Sequence, residues 1–178
     1  MNRIRSFLAM TFPVAVTRKI AEEIERQRKS VAAKVSWVAP ANLHVTLRFL
    51  GSIDENLVDG IVLRLKKVAA RHAPFEARAR GLGSFPNVLW VGVEGDGMVK
   101  LQRDVEGAMV ELGFAKEERA FHPHITVGRV KDGTVGEWSS QAEFGAATLN
   151  EIVVYESRTQ RSGAEYIARA RVALGKGD

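Results

Sequence analysis

One run of four residues occurs twice in the chain: histidine, aliphatic residue, threonine, aliphatic residue. The first copy is His44-Val45-Thr46-Leu47 and the second is His124-Ile125-Thr126-Val127, nearly half the chain apart. Side chains on an extended strand alternate between its two faces. If both copies are strands, His44 and Thr46 share one face while Val45 and Leu47 point to the other. The same holds for His124 and Thr126 against Ile125 and Val127. Each strand then offers an imidazole beside a hydroxyl, above an apolar floor. Two such strands set together would bring two imidazoles and two hydroxyls to one cavity. That set suits a phosphate ester. An imidazole with a pKa near ~6.5 can take or give a proton at neutral pH. One histidine can draw a proton from water and the other can give one to a leaving oxygen. The threonine hydroxyls can donate to the non-bridging oxygens, where charge builds in the transition state. A strained cyclic phosphate would open this way without a metal.

The rest of the sequence must hold those strands. With 178 residues, 46% hydrophobic and 26% charged, the chain has the makeup of a folded globular protein. It is neither disordered, nor a fibre, nor a coiled-coil rod. Its net charge of +5 suits an anionic partner such as a phosphate or nucleic acid. It has no cysteine, which excludes disulfides, thiolate nucleophiles and Cys-based metal sites. No apolar run approaches the ~18 residues of a membrane helix. Residues 1–13 read as a first strand rather than a signal peptide, so a cytoplasmic location is expected. Strands are expected over 4–12, 35–38, 42–50, 75–80, 88–93, 124–130, 149–155 and 164–172. Helical spacing predicts a helix from Thr17, as its cap, to about Ala33. Further helices are expected over 54–72 and from the Leu101 region to Gly113. Gly81, Gly83, Pro86 and Asn87 read as a loop, and 131–140 as a Gly-rich connection. These elements do not alternate strictly as βαβα, which favours α+β with antiparallel sheets. One compact domain over 1–178 is expected, with two related lobes that each contribute one His-x-Thr-x motif.

Other residues carry weaker signals. His122 lies two before His124, with Pro123 constraining the backbone between them; it reads as a polar residue at the cleft rim. His72 sits at an expected helix end, where a cation suits the dipole. Arg48 and Arg129 follow the two tetrads, and a guanidinium forks onto phosphate oxygens; the plainer use of each is a surface charge. Trp37, Phe49 and Trp90 sit in strands, where an aromatic is core by default and a base-stacking platform more rarely. Gly81-Leu82-Gly83 lacks the Lys-Ser/Thr of a nucleotide-binding loop. Neither tetrad brings a carboxylate cluster or third histidine, so no metal and no cofactor is expected.

The two tetrads and their flanks resemble the two-histidine phosphoesterases, and among them the RNA 2′,3′-cyclic phosphodiesterases, also called 2′-5′ RNA ligases. The matching segments are Arg5-Ser6-Phe7-Leu8-Ala9, Trp37-Val38 with 42–51, 88–93, Phe121 with 123–127 and Arg129, 154–157 and 163–166. The resemblance implies a bilobal α+β fold with pseudo-two-fold symmetry, antiparallel sheets flanked by helices, and a central cleft. It implies metal-independent hydrolysis of an RNA terminal 2′,3′-cyclic phosphate to a 2′-phosphate. It implies His44 as proton donor to the leaving 3′ oxygen and His124 as proton acceptor from water. Thr46, Thr126 and Arg129 would bind the substrate. The tetrads are too alike for periodicity to tell acid from base. The implied partner is RNA or an oligonucleotide with a terminal cyclic phosphate; neither a membrane nor an obligate protein partner is expected. Joining RNA ends through a 2′-5′ bond is a further activity that the family name suggests. Two alternatives stand beside this reading. One is a related phosphoesterase acting on 2′-5′ oligonucleotides or small cyclic-phosphate nucleotides, and the other is an RNA-binding protein without catalysis. Phe49 beyond one tetrad and Arg129 beyond the other argue that the cleft tells its two ends apart.

Overall fold

A computed structural model describes residues 2–177. Among the described residues nine strands and three α-helices alternate unevenly: β1 (Arg3–Met10), α1 (Val14–Arg28), β2 (Lys34–Trp37), β3 (Val45–Asp54), α2 (Val58–Ala70), β4 (Phe75–Phe85), β5 (Val88–Glu94), α3 (Asp96–Glu111), β6 (His124–Asp132), β7 (Ser140–Leu149), β8 (Glu151–Gln160) and β9 (Gly163–Ala173). Short 3-10 turns at Pro40–Asn42 and Glu55–Leu57 precede β3 and α2. The fold is α+β, and every strand pairing is antiparallel.

The strand order carries the symmetry. One half runs β3-β1-β8-β9 and the other β6-β5-β4-β7, so the two halves mirror each other outward from β3 and β6. They meet at one residue pair, Val45 opposite Ile125, and β2 extends the free edge of β6. An antiparallel pair has local two-fold symmetry, so this joint is where the pseudo-two-fold passes. The helices cover one face of the curled sheet. Val45, Ile125, Leu8, Met10, Val91 and Val154 from the strands share a core with Ile20, Ile61, Leu65, Leu101, Val105 and Met109 from the helices. Burial of this kind is the main drive for assembly. The other face stays open between the lobes.

Several boundaries differ from those expected. Helix α1 starts at Val14, with Pro13 and not Thr17 at its N-cap; the Thr17 hydroxyl bonds back to the Val14 carbonyl. Proline pre-sets the turn into a helix and needs no N–H there. Strand β4 runs through the glycines expected as a loop and ends in a two-residue turn, Pro86-Asn87, with Asn87 at φ 65°. Gly83 serves close approach: a Cβ there would lie 2.2 Å from the Trp90 indole. Strand β7 is not among the expected strands, because its Gly and Ala content is poor in strand formers. It is held by pairing with β4 and by α1, which packs against it. No helix among the described residues is long and apolar enough to cross a membrane.

One glycine ties this frame to the tetrads. At Gly128, in β6, a Cβ would lie 2.8 Å from Val35 Cγ1 and 3.0 Å from the Trp37 ring. Gly128→Ala must therefore push β2 outward. Overpacking of this kind typically costs about 1–3 kcal/mol. Chemical denaturation of the variant should show a loss in that range; an unchanged midpoint would mean that β2 does not seal this edge.

Candidate active site

Each tetrad is set by the buried pair between them. Val45 and Ile125 are fully buried against the helices. With period two, His44, Thr46, His124 and Thr126 are then forced to the open face. The antiparallel sense of the joint places His44 beside Thr126 and Thr46 beside His124. All four are partly buried, reachable yet largely shielded.

A backbone carbonyl orients each ring in the same way. His44 Nδ1 lies 2.7 Å from the Asn42 carbonyl oxygen, and His124 Nδ1 lies 2.6 Å from that of His122. A carbonyl only accepts, so in both rings Nδ1 carries the hydrogen. That leaves Nε2 as the working nitrogen of each. The Nε2 of His44 lies 2.9 Å from Thr46 Oγ1, so the neutral ring accepts from the hydroxyl. Asn42 is itself tied down, its side-chain amide donating to the Ala164 carbonyl at 2.8 Å. His122 enters through its carbonyl rather than its exposed ring. His72 stands elsewhere, 2.7 Å from Asp104.

The residues beyond the tetrads are aimed by paired bulges. In β3, Ala9 faces Thr46 and Leu8 faces Arg48, which leaves Leu47 as one extra residue. In β6, Trp90 faces Thr126 and Leu89 faces Gly128, which leaves Val127 extra. A bulge of this kind re-aims the side chains beyond it. Strict alternation from His124 would send Arg129 to the core side. The bulge instead pairs it with Val88, on the same face as Trp90 and Thr126. The equivalent position after the first tetrad is Phe49, paired with Phe7. Arg48 is turned the other way. Its guanidinium engages Glu106 of α3 and the carbonyls of Phe49 and Ala115, so it is withdrawn from the cleft.

Aromatic rings wall both histidines. Phe7 lies 4.8 Å from the His44 ring and Tyr166 5.3 Å, edge-on. Phe85 meets the His124 ring edge-on at 5.2 Å, with Trp90 at 6.4 Å. Trp37 packs instead on Trp138, in the core. Phe7, Phe85 and Tyr166 were missed as site residues. Phe7 had a readable signal, since with Ala9 it lies on the opposite parity from the core residues Leu8 and Met10.

This shielding sets the electrostatics. Burial pushes the His44 pKa below its ordinary value; the bond to Asn42 opposes this, and the charges of Arg129 and His124 add to it. Burial also lowers the His124 pKa, opposed by the bond to His122, with His122 and Arg129 lowering it further. The positive charge of Arg129 thus disfavours the charged form of both rings. The Tyr166 hydroxyl is pushed up, chiefly by burial, with Arg129 pulling against it. Burial likewise raises Tyr155. Among the described residues, no three His, Asp or Glu side chains gather as a metal site would require.

Known proteins resemble this chain in sequence and in fold. The sequence profile of the 2′-5′ RNA ligase superfamily matches residues 16–160. An RNA 2′,3′-cyclic phosphodiesterase of Methanothermobacter thermautotrophicus is 33% identical, over 92% of this chain and 95% of its own. One from Aeropyrum pernix is 38% identical over 80% and 90%. Among solved structures, TT0787 of Thermus thermophilus superposes with a TM-score of 0.87 at 25% identity, over 97% and 99% of the two chains. Escherichia coli LigT complexed with 3′-AMP has the same fold, with a TM-score of 0.85 at 24% identity over 97% and 99%. A profile match spanning both tetrads, with relatives this similar along nearly their whole length, makes the chain a member of the 2′-5′ RNA ligase superfamily.

Proposed function

We propose that the chain hydrolyses RNA 2′,3′-cyclic phosphate ends to 2′-phosphates, as one unit in which each lobe brings one histidine. The observation that carries this is the matched pair of imidazoles. Each has Nδ1 held by the carbonyl two residues upstream, leaving Nε2 for proton transfer, and both lie in the field of Arg129. The names of the relatives support the same reaction.

The steps follow from that arrangement. The cyclic phosphate carries a negative charge, which Arg129 and the hydroxyls of Thr46 and Thr126 receive. The anion offsets the charge of Arg129, so a proton becomes stable on His44. Thr46, released from His44 Nε2, turns to a phosphate oxygen. Water attacks phosphorus in line with the leaving oxygen, and His124 Nε2 takes its proton. The bond from phosphorus to the 3′ oxygen breaks, and that oxygen receives the proton from His44 Nε2. The product holds a 3′ hydroxyl and a 2′-phosphate, and the histidines have exchanged protonation states. No step draws on a metal. With the 5′ hydroxyl of a second strand in place of water, the same pair would form a 2′-5′ bond.

Three outcomes test the proposal. His44→Ala and His124→Ala should each lower turnover by ~10²-fold or more with the fold intact. Near-normal turnover in either folded variant would sink the assignment. Second, kcat/KM should trace a bell whose maximum lies on the acid side of about 6.5. Both pKa values are held down, so the required imidazolium is lost as pH rises through a lowered value. The alkaline limb of kcat should lie higher, because bound phosphate favours that proton. Arg129→Ala should move the kcat/KM bell upward, since a charge that disfavours both imidazolium ions is gone. A profile flat to well above neutrality would refute the pair as acid and base. Third, an RNA ending in a cyclic phosphate should give the 2′-phosphate alone, with chelator present throughout. A mixture with 3′-phosphate would mean that the cleft does not fix the ribose, and loss of activity restored by a divalent ion would overturn the mechanism.

A further inference from the structure

The lobe of His44 carries a strip that the reaction itself does not use. Phe49 is 58% exposed, unusual for a phenylalanine within a strand. It lies beyond Phe7, whose ring is 4.8 Å from His44 and 6.2 Å from Phe49. Farther out on the same face comes Arg5, two residues along β1 from Phe7 and paired with Ser52 of β3 and Ser157 of β8. Two residues of strand span about 7 Å. Arg5 is exposed and has no ion pair among the described residues. Arg3 follows on the same face and donates to the Ser52 side chain and carbonyl. The nearby carboxylates are engaged elsewhere: Asp54 accepts from the Asn56 backbone, Glu55 from Asn2 and Arg169, and buried Glu156 from Arg158 and Arg169.

We infer that Phe49 and Arg5 form a subsite for the nucleotide preceding the RNA end, with its base on the ring and an internucleotide phosphate on the guanidinium. The inference rests on the proposed reaction, which fixes the terminal cyclic phosphate at the two histidines. An exposed ring followed by a free cation is the pattern that holds single strands, since any base can stack on it. The order of the groups decides the length of ligand. A mononucleotide has its only phosphate between the histidines and offers Arg5 nothing. A longer strand running out along β3 places a base over Phe49 and a phosphate beyond it.

The test compares two substrates, a mononucleoside 2′,3′-cyclic phosphate and a tetranucleotide ending in the same group, with wild type, Arg5→Gln and Phe49→Leu. On the tetranucleotide each variant should lose about tenfold in kcat/KM, in line with one stacked base or one phosphate contact. On the mononucleotide each should stay within about twofold. The slope of log kcat/KM against log salt for the tetranucleotide should fall by about 0.7 in Arg5→Gln, the value for one phosphate contact on a single strand. Equal losses on both substrates would place these residues at the terminal nucleotide, and no loss on either would leave the strip unused; both overturn the inference. If wild type cleaves neither substrate, the proposed reaction falls. The strip is then judged by fluorescence anisotropy with a 2′-phosphorylated tetranucleotide, where undiminished binding by both variants overturns it.

Discussion

Two buried aliphatic side chains, Val45 and Ile125, hold the site in place. Their pairing is the only ladder contact between β3 and β6, and it joins the two half-sheets. Burying both against the helices fixes which face of each strand looks inward, and period two then leaves the histidines and threonines no choice of face. A slip of one residue in either strand would bury an imidazole and expose an aliphatic chain. Transfer of an unpaired polar group from water to the core costs some ~2–7 kcal/mol. The register that makes the core is therefore also the register that makes the site.

That constraint explains why so much was legible. The α+β class, the antiparallel sheets, every strand but β7 and the shared face of His44, Thr46, His124 and Thr126 all follow from short-range alternation and helical spacing, which one sequence displays. Other features were not legible because they depend on partners distant in the chain. Whether Arg129 faces the cleft turns on one extra residue at Val127, and a bulge is defined only against the neighbouring strand β5. Arg48 also follows a tetrad and could have held phosphate by pattern, yet Glu106, from a helix 58 residues away, engages it. Gly83 read as a loop because only the folded sheet lays the Trp90 ring across it. The carbonyls of Asn42 and His122 leave no mark on side-chain pattern at all, yet they decide which imidazole nitrogen is free.

The duplicated layout extends further than the tetrads. Both strands bulge at the third residue after the histidine, both send the fourth residue to the core side, and both present the fifth to the cleft. Both histidines use the carbonyl two residues upstream. The proposed reaction needs the rings alike in orientation, because either nitrogen facing the wrong way would end proton transfer. The proposed reaction also needs them unlike in role, since one would hold a proton while the other lacks it.

The fifth residue differs between the two halves: Phe49 on one side, Arg129 on the other. Arg129 disfavours the charged form of both rings in the free protein. By itself it cannot choose between them. In the proposed reaction the choice comes with the substrate, whose anion would sit by Arg129 and whose outgoing strand would leave by another route. With the cation at one end of the cleft and an exposed ring at the other to take the strand leading to the RNA end, the proposed oligonucleotide substrate has one orientation that satisfies both. In the proposed reaction that orientation, rather than any inherent contrast between the imidazoles, would make one histidine the acid. Symmetry places the two rings, and it is broken five residues after each, at Phe49 and Arg129, where the proposed reaction would take its direction.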